Sequence, residues 1–193
     1  MREVELKSVC DDLAATRERL ERAGAKLSFE GRLSDRRYDV ESREIFARDE
    51  VLRVRRYEAP GSSKTYFDWK GPTETQDVYK IREEISTLVE DFEALEQILA
   101  RLGFVIAMEI DREIAQYTLG GATIRFETYP RMDVLVEVEG EPESIEQAIE
   151  ALGMSRGLFN SDRLPTFISR FEQRTGVRAA ICARDLEGDP PVR

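Results

Sequence analysis

Glu3-Val4-Glu5-Leu6-Lys7 alternates charged side chains at positions 3, 5 and 7 with apolar side chains at positions 4 and 6. Successive side chains of a β-strand point to opposite faces, so the two carboxylates and the ammonium group share one face of the strand. The same alternation recurs further along the chain, with basic residues in place of the acidic ones. The stretch therefore predicts a sheet that has one apolar face and one strongly charged face.

The composition excludes several classes of function. The 193 residues carry a formal net charge of −10, which argues against a general nucleic-acid binder because phosphate backbones require a basic face. No apolar run approaches the roughly 18 residues that span a bilayer, and no signal peptide is apparent, so we expect a cytoplasmic protein without a membrane segment. The chain contains no histidine, which removes the usual general base. Any chemistry must therefore use carboxylates, lysine or a metal-bound water.

The apolar spacing and the end signals predict three amphipathic helices, at residues 12–23, 91–102 and 144–152, each followed by glycine. Period-2 patterns predict strands at 2–9, 27–40, 51–58, 64–70, 78–89, 104–118, 121–129 and 133–140. Gly120-Gly121 is typical of a two-residue hairpin turn. These elements predict an α+β fold with a mostly antiparallel sheet, one domain over residues 1–175 and a loose C-terminal tail over 176–193.

The charged faces of these strands form one large set. Its members are Glu3, Glu5, Lys7, Arg53, Arg55, Lys70, Lys80, Arg82, Glu84, Arg112, Arg125, Glu127, Glu137 and Glu139. Because the helices must cover the apolar face, the charged face points either to solvent or into a closed barrel of about eight strands. The mixture of signs favours the barrel interior, since clustered cations bind a polyanion and carboxylates hold a hard divalent cation. A triphosphate with Mg²⁺ or Mn²⁺ satisfies both requirements.

Seven motifs occur in an order that resembles one known family. They are Glu3-Val4-Glu5-Leu6-Lys7, Asp35-Arg36-Arg37-Tyr38-Asp39, Leu52-Arg53-Val54-Arg55, Trp69-Lys70-Gly71-Pro72, Arg82-Glu83-Glu84-Ile85, Arg112 and Val136-Glu137-Val138-Glu139-Gly140. Over residues 1–170 the chain resembles the CYTH family, the triphosphate tunnel metalloenzymes, which include class IV adenylyl cyclases, thiamine triphosphatases and inorganic triphosphatases. The resemblance implies an eight-stranded antiparallel β-barrel with amphipathic helices packed outside.

The resemblance also implies roles for individual residues. The metal ligands for Mg²⁺ or Mn²⁺ would be Glu3, Glu5, Glu127, Glu137 and Glu139, with Glu127 one methylene longer than the aspartate usual there. The substrate-binding residues would be Lys7, Arg53, Arg55, Lys70, Arg82 and Arg112. The catalytic set would comprise Glu3, Glu5, Lys7, Glu137 and Glu139, and Glu84 would orient a neighbouring cation.

Some positions depart from the family pattern or stay open. Ile110 stands where the family usually has a lysine, and we hypothesise that Arg125, which shares the inward parity of Glu127, replaces that lysine in binding substrate. Asp35 is either an acid at the surface end of its strand or part of the site, and the same alternatives hold for Asp39. Lys80 is expected at a tunnel mouth without contacts.

Three functions fit this set of charges. We favour hydrolysis of the terminal phosphate of a small-molecule triphosphate, because no adenine pocket is identifiable. The alternative is a class IV adenylyl cyclase that converts ATP to cyclic AMP and pyrophosphate. A non-catalytic polyphosphate or triphosphate binder is the third, and the paired glutamates count against it. The sequence leaves the oligomeric state open, and a homodimer is suggested by family analogy alone.

Overall fold

The computed structural model describes residues 2–76 and 78–187, with the backbone alone for residues 2, 3, 75 and 76. Its strands are β1 (Arg2–Val9), β2 (Lys26–Asp39), β3 (Val51–Ala59), β4 (Ser62–Lys70), β5 (Glu74–Gln76), β6 (Tyr79–Val89), β7 (Val105–Leu119), β8 (Ala122–Thr128) and β9 (Leu135–Glu139). Its α-helices are α1 (Leu13–Arg22), α2 (Glu44–Ala47), α3 (Phe92–Arg101), α4 (Pro142–Leu152) and α5 (Leu164–Thr175). Two short 3₁₀ helices lie at Arg156–Leu158 and Ala183–Leu186.

The strands form a closed antiparallel barrel. Hydrogen-bonded neighbours follow the order β1-β9-β8-β7-β2-β3-β4-β6, and β1 pairs with β6 to close the circle. Strand β4 pairs with residues 84–89 of β6, and the short β5 pairs with residues 79–81 on the same side of β6. Strands β4 and β5 together therefore occupy one of the eight strand positions of the barrel. The predicted eight-stranded antiparallel barrel is confirmed, and so is the hairpin at Gly120 and Gly121, whose φ angles of 56° and 88° require glycine.

The helices pack on the outside of the barrel, against the apolar faces of the strands. Leu20 of α1 and Ile145 of α4 share a core with Leu6 and Val138 of the barrel. Leu99 of α3 packs with Tyr38 and Val54 in a second cluster. Because the helices bury this face, the charged face of each strand points inward.

The three predicted helices are confirmed as α1, α3 and α4. The sequence patterns missed α2, β5 and α5, which lie near one end of the barrel. Helix α5 carries a proline at its start and Gly176 in the left-handed conformation just past its end, which are ordinary boundary signals. Its buried residues Leu164 and Phe167 pack with Ile110, Tyr129 and Leu135.

The described part of the predicted loose tail is docked on the barrel. Ala180 exchanges backbone hydrogen bonds with Arg131, at 2.8 and 3.1 Å, and the Ile181 carbonyl accepts one from Asp111 at 2.8 Å. Ala180 and Cys182 are buried. The prediction of a loose segment therefore differs from the structure for residues 176–187, because small and apolar side chains of this segment fit against the barrel. Residues 188–193 lie outside the described part. None of the described helices has the length and apolar character needed to cross a bilayer.

Candidate active site in the charged tunnel

The barrel interior contains a cavity of about 220 Å³. Of the described residues that line it, eleven are lysine or arginine and seven are aspartate or glutamate. The cavity thus carries an excess of positive charge, although the whole chain carries −10. An excess of one sign of charge in a cleft attracts ligands of the opposite sign. The excess of cations here favours an anionic ligand.

The structure brings most of the predicted site residues together. Those lining the cavity are Glu5, Lys7, Arg53, Arg55, Lys70, Arg82, Arg112, Arg125, Glu127 and Glu137. Glu139 lies directly opposite Glu5 on β9, and Glu84 contacts three of the cavity cations. Glu3 pairs with Arg82 through the backbone, and its side chain lies outside the described residues.

Two buried glutamates on adjacent strands, Glu5 and Glu137, form an acidic edge. The Lys7 ammonium lies 2.6 Å from Glu137 Oε2, and Arg125 Nη1 donates to Glu137 Oε1 at 2.9 Å. Lys80 donates to Glu5 and is buried, so the prediction that Lys80 contacts nothing is wrong.

Burial alone would raise the pKa of Glu137, but the charges of Lys7 and Arg125 outweigh it and hold that pKa well below its ordinary value. Burial and Glu137 likewise oppose ionisation of Glu5, yet the nearby lysines lower its pKa. Both groups are therefore carboxylates at neutral pH.

Two carboxylates hold the cations of β3 and β4 in place. Glu84 accepts from Arg55 Nη2 at 3.0 Å and from Arg53 Nη2 at 3.4 Å, and lies 3.2 Å from the Lys70 ammonium. Asp68, which has 0% exposure, accepts from Arg53 Nε at 3.0 Å and lies 2.5 Å from Arg55 Nε. Sequence reasoning missed Asp68, although it shares the inward parity of Lys70. These contacts fix the arginine side chains before any ligand arrives.

A second buried network surrounds Arg112. Its Nε donates to Glu127 Oε1 at 2.8 Å, and its Nη1 lies 3.4 Å from Asp35 Oδ2. Tyr129 donates its hydroxyl hydrogen to Glu127 at 2.8 Å. Asp35 has 0% exposure, so the surface-acid alternative is wrong for this residue. Burial would raise the pKa of Asp35, but Arg112 and Arg53 outweigh it and lower that pKa far below its usual value.

The mouth of the tunnel next to α2 is held by two aspartates. Asp39 is buried, not at the surface, and its carboxylate accepts from the amides of Ile45 and Phe46 at 3.0 Å. Asp49 has a left-handed φ of 56°, and its carbonyl accepts from Arg82 at 2.5 Å. Its carboxylate accepts hydrogen bonds from both terminal nitrogens of Arg163, at 2.6 and 2.8 Å, and so links the α2 loop to α5.

Apolar residues also line this end of the cavity: Ile45, Phe46, Leu52, Met108, Leu164 and Pro165. Phe46 is 76% exposed, which is high for a phenylalanine in a cavity wall. The α2 mouth thus combines apolar side chains with the charged pair Asp49 and Arg163.

The acidic edge fits a hard divalent cation in donor type, because carboxylate oxygens are the preferred ligands of Mg²⁺ and Mn²⁺. Among the described side chains, however, no three acidic, histidine or cysteine groups form a metal-binding cluster. Lys7 and Lys80 neutralise Glu137 and Glu5 instead. An ion here would therefore need further oxygen ligands, as Mg²⁺ commonly takes from substrate phosphates.

Comparison with known proteins identifies the family. The model of the CYTH domain matches residues 1–158. The chain belongs to the CYTH family. This CYTH chain is 33% identical over 104 residues to the protein named "Putative adenylate cyclase MJ0240" of Methanocaldococcus jannaschii; the match covers 54% of the chain and 57% of that relative. The chain thus spans little more than half the length of the curated relative that it matches.

Several solved structures share the CYTH barrel. A Vibrio parahaemolyticus protein superposes with a TM-score of 0.74 at 16% identity, covering 86% of this chain and 97% of its own. The PH1819 protein of Pyrococcus horikoshii OT3 gives 0.70 at 23% identity, covering 87% and 98%. HpAC1 from Hippeastrum, described as having a dominant triphosphatase activity, gives 0.61 at 14% identity, covering 87% and 96%. At these identities the likeness shows the fold alone.

Proposed function

We propose that this CYTH protein is a divalent-metal-dependent triphosphatase that hydrolyses the terminal phosphate of inorganic tripolyphosphate or an organic triphosphate. The observation that carries the proposal is the excess of anchored cations inside the cavity of an acidic chain, beside carboxylates that stay ionised. The triphosphatase activity described for HpAC1, which has the same fold, supports it.

The tunnel cations would bind the phosphoryl oxygens. Guanidinium groups bind phosphate through two parallel hydrogen bonds, which fixes orientation as well as charge. Because Asp68 and Glu84 already hold Arg53 and Arg55, these groups need little reorganisation when negative charge develops on the leaving group. The binding set would be Lys7, Arg53, Arg55, Lys70, Arg82, Arg112 and Arg125.

The acidic edge would hold the metal. Glu3, Glu5, Glu127, Glu137 and Glu139 are the proposed ligands for Mg²⁺ or Mn²⁺. When bound, such an ion neutralises phosphate charge and lowers the pKa of a coordinated water. The lowered pKa of Glu137 keeps this carboxylate in the charged form that ligation requires. Lys7, 2.6 Å from Glu137, joins the acidic edge to the phosphate-binding cations.

One assay tests the proposal directly. The protein is incubated with Mg²⁺ or Mn²⁺ and with tripolyphosphate, ATP or thiamine triphosphate, and orthophosphate, pyrophosphate and cyclic AMP are resolved. We expect orthophosphate from at least one substrate, and none with the Glu137→Gln variant. Formation of cyclic AMP and pyrophosphate would identify a cyclase instead of a hydrolase. The absence of turnover with any of these triphosphates would indicate a non-catalytic binding protein.

The alternative activity, class IV adenylyl cyclase, is favoured by the apolar side chains among the residues at the α2 mouth. Ile45, Phe46 and Met108 could contact an organic group outside the charged tunnel. In that reaction the ribose 3′ oxygen would form a bond to the α-phosphorus, and the bond to the departing pyrophosphate would break. The name of the Methanocaldococcus relative supports the same alternative. The tunnel cations serve both reactions, so the product decides between them.

A further inference from the structure

One arginine of the tunnel, Arg37 of β2, differs from its neighbours. It lines the cavity and lies directly opposite Arg53 on β3 and Met108 on β7. Its Nε is buried without a hydrogen-bond partner. No hydrogen bond or ion pair joins its guanidinium to another described side chain, whereas Arg53 is held by Asp68 and Arg112 by Glu127.

This placement is unfavourable for an empty tunnel. Like charges directly opposite each other on neighbouring strands destabilise a sheet, and burying a cation without a partner costs free energy. Burial lowers the pKa of Arg37 to about 10, the positive charges of Arg53 and Arg112 act in the same direction, and Asp35 opposes them. The guanidinium is still protonated at neutral pH, Asp35 offsets only part of the repulsion, and the buried Nε has no acceptor among the described protein groups.

We propose that Arg37 is a further substrate-binding residue, which together with Arg53 binds anionic oxygens of the polyphosphate near the α2 end of the tunnel. The position follows from β2, which continues from Arg37 to Asp39, the carboxylate that holds α2. An anion between the two arginines removes their repulsion and fills the hydrogen-bonding capacity of Arg37. The inference rests on the proposed triphosphate substrate. It adds a binding residue to which the sequence motifs assign no role.

The test compares Arg37→Gln with Arg36→Gln. Arg36 is the neighbouring residue with the opposite parity, and it donates to Asp111 at 2.9 Å, so its variant removes the same charge outside the tunnel. Tripolyphosphate affinity is measured by calorimetry with and without Mg²⁺, and thermal unfolding is followed without ligand. We expect Arg37→Gln to weaken affinity by about 10- to 100-fold, the range for a charge-assisted hydrogen bond. Its ligand-free melting temperature should equal or exceed that of the wild type, because the like-charge pair is gone. Arg36→Gln should bind like the wild type.

The outcomes separate this inference from the proposed function. If the wild type binds tripolyphosphate and Arg37→Gln binds it equally well, only the inference on Arg37 is overturned. If the wild type binds neither tripolyphosphate nor ATP, both proposals fall. A Gln variant that unfolds without ligand would assign Arg37 a structural role and overturn the inference. Arg37→Lys keeps the charge but loses the two-pronged contact, so an affinity between those of the wild type and the Gln variant supports phosphate contact.

Discussion

Replacing Asp68 by asparagine removes the buried negative charge that holds two tunnel arginines. Asp68 has 0% exposure, accepts from Arg53 at 3.0 Å and Ser86 at 2.5 Å, and lies 2.5 Å from Arg55. Asparagine has nearly the same shape, so the change isolates the charge. Without it, the buried guanidinium of Arg53 and the partly buried one of Arg55 depend on Glu84 and more distant carboxylates.

The expected cost follows from the burial. Breaking a buried ion pair by removing one partner costs about 3–5 kcal/mol. For a chain of this size each kcal/mol moves the melting temperature by roughly 2–4 °C. We therefore expect Asp68→Asn to unfold about 6–20 °C below the wild type without ligand. Saturating tripolyphosphate should narrow this gap, because its negative charge compensates the same arginines and binding stabilises the folded state.

Thermal unfolding followed by circular dichroism measures both effects. The matched control is Asp133→Asn, since Asp133 pairs at 2.5 Å with Arg174, whose side chain is 61% exposed. Exposed pairs contribute about 1 kcal/mol or less. Equal melting temperatures for the two variants would refute the argument that the buried network stabilises the barrel. A gap that tripolyphosphate leaves unchanged would refute the argument that ligand and carboxylate act on the same cations.

Further predictions concern stability at acidic pH, tripolyphosphate affinity and the α2 mouth of the tunnel. The pKa values of Glu5 and Glu137 are lowered in the folded protein, so their ionisation stabilises the fold. This contribution is complete above about pH 4, the pKa of glutamate in the unfolded chain, and is lost as the pH falls through the lower pKa values of the folded state. Acid titration followed by circular dichroism checks this, and a stability independent of pH below about 4 would contradict it. Arg125→Ala should weaken tripolyphosphate binding by about 10-fold, measured by calorimetry; unchanged affinity would disprove its role as the replacement for a lysine. Asp49→Asn weakens the bidentate pair with Arg163 that links the α2 loop to α5. We expect faster proteolysis of the α2 loop and weaker tripolyphosphate binding. An unchanged digestion pattern would count against a role of this pair in holding the loop.

The sequence predicted the barrel because period 2 is a local property. Once Glu5 and Lys7 are assigned to one face, the helices must cover the other. The mixture of charges favours a closed barrel over a solvated sheet, and the resemblance to the CYTH family implies its eight strands. The same parity places Asp35, Arg37 and Asp68 inside. For Asp35 this parity decides between the two alternatives that the sequence left open, and for Arg37 and Asp68, to which the motifs assign no role, it indicates an inward position.

The mouth of the tunnel could not be predicted in this way. Asp49 and Arg163 are 114 residues apart, and their pairing depends on where α5 crosses the barrel end. The left-handed conformation of Asp49 has no periodic signature. The docking of residues 179–182 depends equally on distant backbone groups, those of Asp111 and Arg131, which no local pattern reveals.

The pairing of β1 with both β6 and β9 has a consequence for folding. Glu5 lies opposite Lys80 on one side and Glu139 on the other, so closing the barrel joins segments far apart in the chain. Topologies dominated by such non-local pairings fold slowly, because loop entropy is lost before the contacts form. Strands β6 and β9 both flank the charged side chains of β1, so both are needed to enclose them. We therefore expect a chain truncated before β9 to lose the closed barrel and the site together.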